Sequence, residues 1–420
     1  MTSRRVAVLD STASLLATGF SWLPSRWRRS GQSAVRARLL GKPAIALRGP
    51  DAIPYFYDEQ RVRRSGAVPK AVQKTLFGEG AVQTLDGDEH RVRKAMFLGI
   101  LTDPNRVDAL VRRTAEAWDD AAQRWISEPS VVLFDEAAQV HPRRLRVGGR
   151  PARRQGRTAV GEAVRRNSRR LRHPVPAAHA GQARPEATRK LAHEAHRGDA
   201  QRCGREPLRH HRNRVGRRTR GSPPRRRRRV AQASHRGRGA AQHSQADRRR
   251  VVFVTFAAHA MHRWPEQRQR VQEGDADYLE AFAQEVRRFY PFAPFVGGRA
   301  TMAQIWREQQ IPAGGMVLLD LYGQNHDAAL WPEPYTFSPD RFLHRQLDSN
   351  ELVPQGGGDP AAGHRCPGEQ ITVELIKVLA AKLAAMQYDV PDQDLRISLT
   401  RIPTRPRSGF VMTNVRPPDR

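Results

Sequence analysis

Cysteine is scarce: the 420 residues hold two, Cys203 and Cys366. A disulfide framework is therefore not expected, and such usage suits a reducing compartment, so the expected location is cytoplasmic. Long apolar runs are missing as well. The patch around Leu15–Leu23 is interrupted by Ser and Thr and is too short to cross a bilayer. No clean small-residue cleavage site ends it, which predicts an amphipathic first helix in a soluble chain.

Acidic residues are in deficit, 42 against 73 Lys+Arg, giving a net charge of +31. Such a field would suit a partner rich in phosphate, were it spread over the molecule. It is not. Residues 141–250 hold 34 basic and six acidic side chains, a net +28 that leaves only +3 for everything else. The same 110 residues contain no Phe, Trp, Tyr, Ile or Met and four Leu. They cannot bury enough apolar area to offset chain entropy, and an unstructured segment is the expectation. They also lack the aromatic interleaving of a base-stacking platform, any zinc-ligand spacing and any helix-turn-helix pattern. A basic nucleic-acid-binding protein is thus the weaker reading.

The flanks read as globular. In residues 1–140, Pro43–Leu47 suits a strand and Gly49-Pro50 a turn. Val107–Ile126 places Val107, Leu110, Val111, Ala115, Trp118, Ala122 and Trp125 at helical spacing, and Val131–Phe134 reads as a buried extended segment. In residues 251–420, helices are expected at Phe253–Met261, Tyr278–Phe289 and Ile371–Ala385, with a strand at Met316–Leu321. Both edges of the basic block are abrupt, with no graded Ser/Gly/Pro linker.

Chemistry concentrates near the C-terminus. Cys366 lies in Gly363-His364-Arg365-Cys366-Pro367-Gly368-Glu369, preceded by Gln355-Gly356-Gly357-Gly358. Glycines let backbone approach a flat ligand, and a helix starting after Pro367 with cations nearby favours the thiolate that ligates iron. On its own the pattern divides between such a ligand and a buried structural cysteine. Glu285 and Arg288 sit i,i+3 on one helix face and can pair, as many solvated surface pairs do. A second arginine, Arg341, is set in Phe337-Ser338-Pro339-Asp340-Arg341-Phe342.

Glu-x-x-Arg on a helix, Phe-x-Pro-x-Arg-Phe, then a Cys-x-Gly loop entering a helix resembles the cytochrome P-450 superfamily in order and spacing. The resemblance implies a mainly α fold with small β-sheets and haem b with its iron as cofactor. Cys366 would be the proximal ligand, and Glu285, Arg288 and Arg341 a buried structural triad. A narrower resemblance, to the bacterial fatty-acid peroxygenases, rests on Gln284–Phe295, Asp320–Asp327, Ala67–Phe77, Asp86–His90 and the cysteine loop. It covers roughly 35–140 and 251–416. Asp359 stands where the superfamily usually has Phe, a departure the narrower family shares. This implies His90, Lys94 and His364 at the haem propionates, Phe77 and Gln83 in the distal pocket, and Phe292 and Phe295 along a fatty-acid channel.

The implied activity is hydroxylation of long-chain fatty acids at the α or β carbon by hydrogen peroxide, with no reductase and no nucleic-acid partner. A monooxygenase served by a redox partner is the alternative. One element is missing. The family carries an Arg-Pro pair in the helix crossing the haem, where Arg binds the substrate carboxylate that serves as acid–base in peroxide cleavage. Counting back from Val252, these positions fall on Gln245 and Ala246. No catalytic residue is intact there, and the chain as written is expected to be impaired. GC-rich coding DNA read in a wrong frame yields Arg, Pro, Ala, Gly and His. Two compensating frameshifts near residues 140 and 250 are therefore the expected origin of the block, with a genuine insert as the alternative.

Overall fold

The computed structural model describes residues 9–30, 34–67, 82–140 and 245–416, and of 245–251 the backbone alone. Two units are distinguished, Met1–Ser168 with Gln242–Arg420, and Arg169–Ala241. Every described residue belongs to the first, so the unstructured state expected for the block lies outside the described residues as far as residue 244.

The class is mainly α with small sheets, as the sequence predicts. The chain opens with α1 (Thr12–Thr18) and α2 (Trp22–Ser30), then the hairpin β1 (Ala34–Leu39) and β2 (Lys42–Leu47). After α3 (Ala52–Tyr57) and β3 (Val62–Arg63) come α4 (Gly87–Leu101) and α5 (Pro104–Trp125). The Asp103 carboxylate caps α5 by accepting from the Arg106 N–H at 3.1 Å, and Pro104 fits its first turn. Its buried face carries Val107, Thr114, Trp118, Ala121 and Trp125, a stripe that keeps helical period.

The extended segment expected over Val131–Phe134 is shorter than predicted. β4 is Val131–Val132, paired with the C-terminal strand Val411–Arg416, and α6 (Leu133–Val140) begins at once. Leu133, Phe134, Ala137 and Ala138 are buried at helical spacing, and Asp135 and Glu136 suit the positive end of a helix. α7 (Gln245–Arg263) takes in the last six residues of the basic block, so the end of that stretch is helical. Then follow α8 (Pro265–Glu273), α9 (Ala276–Phe289), β5 (Phe295–Ala300), β6 (Gln304–Trp306), β7 (Gln309–Ile311) and β8 (Met316–Asp320). The strand expected to Leu321 stops at Asp320, whose carboxylate accepts the Gly323 N–H at 2.8 Å and starts α10 (Leu321–Asn325). The chain closes with α11 (Glu369–Ala385), β9 (Gln387–Asp389) and β10 (Val411–Arg416).

Five strands form the main sheet in the order β1-β2-β8-β5-β3, with β2 and β8 parallel and the other pairs antiparallel. The largest core joins α5, α6, α7, α9 and α11 through Trp118, Phe134, Phe256, Phe282 and Leu383. Elements from both sides of the block thus share one hydrophobic core, which brings the start of α11 and the preceding cysteine loop against α4 and α9.

A candidate haem-thiolate site

Glu285, Arg288 and Arg341 meet. Arg288 grips the Glu285 carboxylate with two N–H groups at 2.6 and 2.7 Å, and Arg341 Nε reaches it at 3.3 Å. Glu285 and Arg288 are wholly buried, and Arg288 Nη1 also donates to the carbonyls of Asn325 and Pro334. The Ser338 N–H completes the carboxylate's shell at 2.9 Å. A buried ion pair costs desolvation unless its remaining donors and acceptors are satisfied, and here they are. The triad ties α9 to the Pro339–Phe342 turn.

The cysteine loop is held from three sides. Its run Gly356–Gly358 packs against α3. A Cβ on Gly357 would lie 2.7 Å from Ile53, and Gly358 has φ of 79° with its face on the Tyr57 ring. The Tyr57 hydroxyl accepts the Gly357 N–H at 3.2 Å. From α4, the buried Lys94 ammonium donates to the carbonyls of Gly363, at 2.9 Å, and Arg365. From α9, Arg287 pairs with Glu369, which also takes the fork of Arg365 at 2.6 and 3.0 Å. Burial pushes the Glu369 carboxyl up, but Arg287 and Arg365 outweigh it and hold it below the usual range.

Cys366 is partly buried and unbridged, with its N–H on the Gln355 carbonyl at 3.2 Å. The amide Nε2 of Gln355 approaches its sulfur at 3.7 Å. A Cβ on Gly368 would come within 4.0 Å of that sulfur, and Gly368 also lines an apolar cavity with Thr114, Trp118, Val254 and Ile371.

On one flank of this loop lies a group of buried cationic or donor side chains lacking partners. The rings of His90 and His364 stack with centroids 3.8 Å apart. Among the described residues, His90 Nδ1, both ring nitrogens of His364, and Nε and Nη1 of Arg64 have no hydrogen-bond partner. Burial first, then Arg64, His90 and Lys94, push the His364 imidazole down to about 2. Burial and Lys94 likewise lower His90. Such orphans are costly unless a ligand meets them. Glu59, His90 and His364 offer ligand atoms within 4.8 Å of one another. A bare cation fits poorly, because Arg64 and Lys94 make the flank electropositive. A carboxylate-bearing ligand fits it well.

Other expected site residues are dispersed. Gln83 is exposed on the turn Val82–Thr84, and Phe77 lies outside the described residues. Phe292 stacks on Phe253 of α7 at 4.7 Å, whereas Phe295 packs against Trp22 in a different core cluster. Gln245 and Ala246 open α7, with side chains outside the description. Sequence reasoning missed Glu59, Arg64, Arg287, Gln355 and Glu369. Arg287 and Gln355 stand inside quoted motifs, but nothing in spacing distinguishes them from their neighbours.

A family model described as "Cytochrome P-450" matches residues 265–412. Among solved structures, cytochrome P-450SP alpha (CYP152B1) in complex with (R)-ibuprophen is 33% identical with a TM-score of 0.72, covering 97% of this chain and 99% of its own. Ligand-free cytochrome P-450 OleT is 28% identical, TM-score 0.72, covering all of both chains. A variant of OleT in complex with arachidonic acid matches at 28% and 0.73. Curated relatives include carnosic acid synthase of Rosmarinus officinalis, 30% identical over 111 residues, and ferruginol synthase of Salvia miltiorrhiza, 32% over 111 residues. Each of these matches takes in 25% of this chain, and the chain spans about a fifth of their length, 21% and 22%.

Proposed function

This chain belongs to the cytochrome P-450 family, on the side that includes the bacterial fatty-acid peroxygenases, and we propose that it is a peroxygenase hydroxylating long-chain fatty acids at the α or β carbon with hydrogen peroxide. The observation that carries this reading is the flank of unpartnered donors beside the Cys366 loop. Two propionates would accept from the ring N–H groups of His90 and His364 and from Arg64, and lie near the Lys94 ammonium. The donor set fits haem, the family's cofactor, with Cys366 as the iron ligand. Bound there, haem would supply cleavage of the peroxide O–O bond and delivery of oxygen to a C–H bond.

The rest falls to the chain. The Glu285–Arg288–Arg341 cluster fixes α9 against the turn that precedes the cysteine loop, and Lys94 fixes the loop to α4. Phe292, stacked on Phe253 of α7, and Phe295, packed on Trp22, are proposed to line an apolar substrate path. A fatty acid would need a cation for its carboxylate in α7, and Gln245 and Ala246 supply none. The chain as written is therefore proposed to turn over poorly, and a frame-restored chain well. Likeness to an OleT variant solved in complex with arachidonic acid supports the substrate class. No helix among the described residues is long and apolar enough to cross a membrane. We propose a cytoplasmic enzyme that needs no reductase.

The test feeds a saturated fatty acid and peroxide to both forms loaded with haem, then identifies products by mass spectrometry. Hydroxy acids should form from the restored chain without nicotinamide, and abolition by Cys366→Ala should follow. Turnover that requires reduced nicotinamide and a redox partner, with none from peroxide, would reject the peroxygenase reading.

A further inference from the structure

The side-chain amide of Gln355 has only one possible orientation. Arg287 Nε lies 3.1 Å from its outer end, and a guanidinium donates but cannot accept, so the atom facing it is the carbonyl oxygen Oε1. The NH2 group is thereby turned inward, 3.7 Å from Cys366 Sγ and 3.3 Å from Thr372 Oγ1. Thr372 donates its own hydroxyl proton to the Gly368 carbonyl at 2.8 Å, which leaves its lone pairs free to accept. Arg287 is itself immobilised: it is buried, and its two terminal nitrogens are held by Gln284 and Glu369. Glu369 is in turn clamped by Arg365, next to the cysteine. The main chain adds a tie, since the Cys366 N–H donates to the Gln355 carbonyl.

We infer that Arg287 is a positioning residue: by fixing the amide of Gln355 it holds an N–H donor on the Cys366 sulfur and so sets how strongly that sulfur donates to iron. The inference rests on the haem-thiolate reading above. A hydrogen bond to a ligating sulfur withdraws electron density from it, which favours the reduced metal and weakens donation. Arg287 acts only through the amide it orients, and its charge is already matched by Glu369.

The experiment uses the full chain and the variants Gln355→Leu, Gln355→Glu, Arg287→Met, Arg287→Lys and the double Arg287→Met/Gln355→Leu. The first readout needs no haem. It is the rate at which iodoacetamide alkylates Cys366 at one fixed pH, located by peptide mass so that Cys203 is scored apart. Loss of the donor should slow alkylation severalfold, whereas mere loosening of the loop would speed it. Arg287→Lys keeps a charge for Glu369 but has no fork for Gln355, so it should follow Arg287→Met even if the latter folds badly. The second readout is the midpoint potential and the C–O stretch of the reduced carbonyl form. Both should fall in each single variant, and the double should fall no further than Gln355→Leu. Additive shifts in the double, or one potential and one alkylation rate shared by all variants, would overturn the inference while leaving a haem-thiolate enzyme. Failure to take up haem, with the alkylation pattern intact, would overturn the haem reading while leaving the donor contact.

Discussion

His90 and His364 lie ring over ring, 20° from parallel, with three of their four nitrogens buried and without a hydrogen bond among the described residues. Each such nitrogen costs on the order of 1–3 kcal/mol if nothing meets it. Replacing His364 by Leu should therefore raise the denaturation midpoint of the haem-free chain while loosening haem about tenfold or more in a transfer assay. If the variant melted lower and kept haem equally well, the rings would be structural and no propionate site.

A second prediction concerns the triad. Glu285→Gln leaves Arg288 and Arg341 facing each other with no carboxylate between them, and breaking a buried pair in this way costs about 3–5 kcal/mol. Chemical denaturation of the purified variant measures it. A loss under about 1 kcal/mol would mean that water reaches the site and the cluster is not closed.

Asp320 gives the chain a dependence on pH. Its carboxylate accepts from Trp27 Nε1 at 2.7 Å and from the Gly323 N–H, yet burial pushes it up to about 7 from 3.8. A raised carboxyl binds protons more readily when folded than unfolded. Its contribution is therefore complete below the unfolded value and is lost as pH rises through about 7. Between pH 5 and 8 the loss amounts to about 2–3 kcal/mol. Asp320→Asn keeps an acceptor for Trp27 and should flatten that part of the stability profile. Parallel profiles for the two proteins would contradict the assignment.

The last prediction is read from DNA. α6 is described to Val140 and α7 from Gln245. The coding sequence between them, read in another frame, should encode apolar helices and an Arg-Pro pair at the positions now held by Gln245 and Ala246. Verified DNA with a single open frame, and no such pattern in either alternative frame, removes the explanation.

Long periodic elements were legible in the sequence. α5 and α9 carry both an Asp cap and a buried stripe, and β2 stands out as a short apolar run ended by turn residues. Junctions were not, because the change from β4 to α6 depends on where β10 pairs, more than 270 residues away in the chain. The site divides in the same way. Cys366, Glu285 and Arg341 announce themselves by motif spacing. Arg64 and Gln355 matter through contacts that only folding creates.

The parallel pairing of β2 with β8 has a consequence for synthesis. On the edge that β1 does not cover, Ala44–Leu47 pairs with Met316–Leu319. At about 5–20 residues per second a ribosome needs roughly 15–50 seconds to travel that far. For all that time the nascent hairpin presents an open apolar edge to its surroundings, the kind that pairs with any strand on offer.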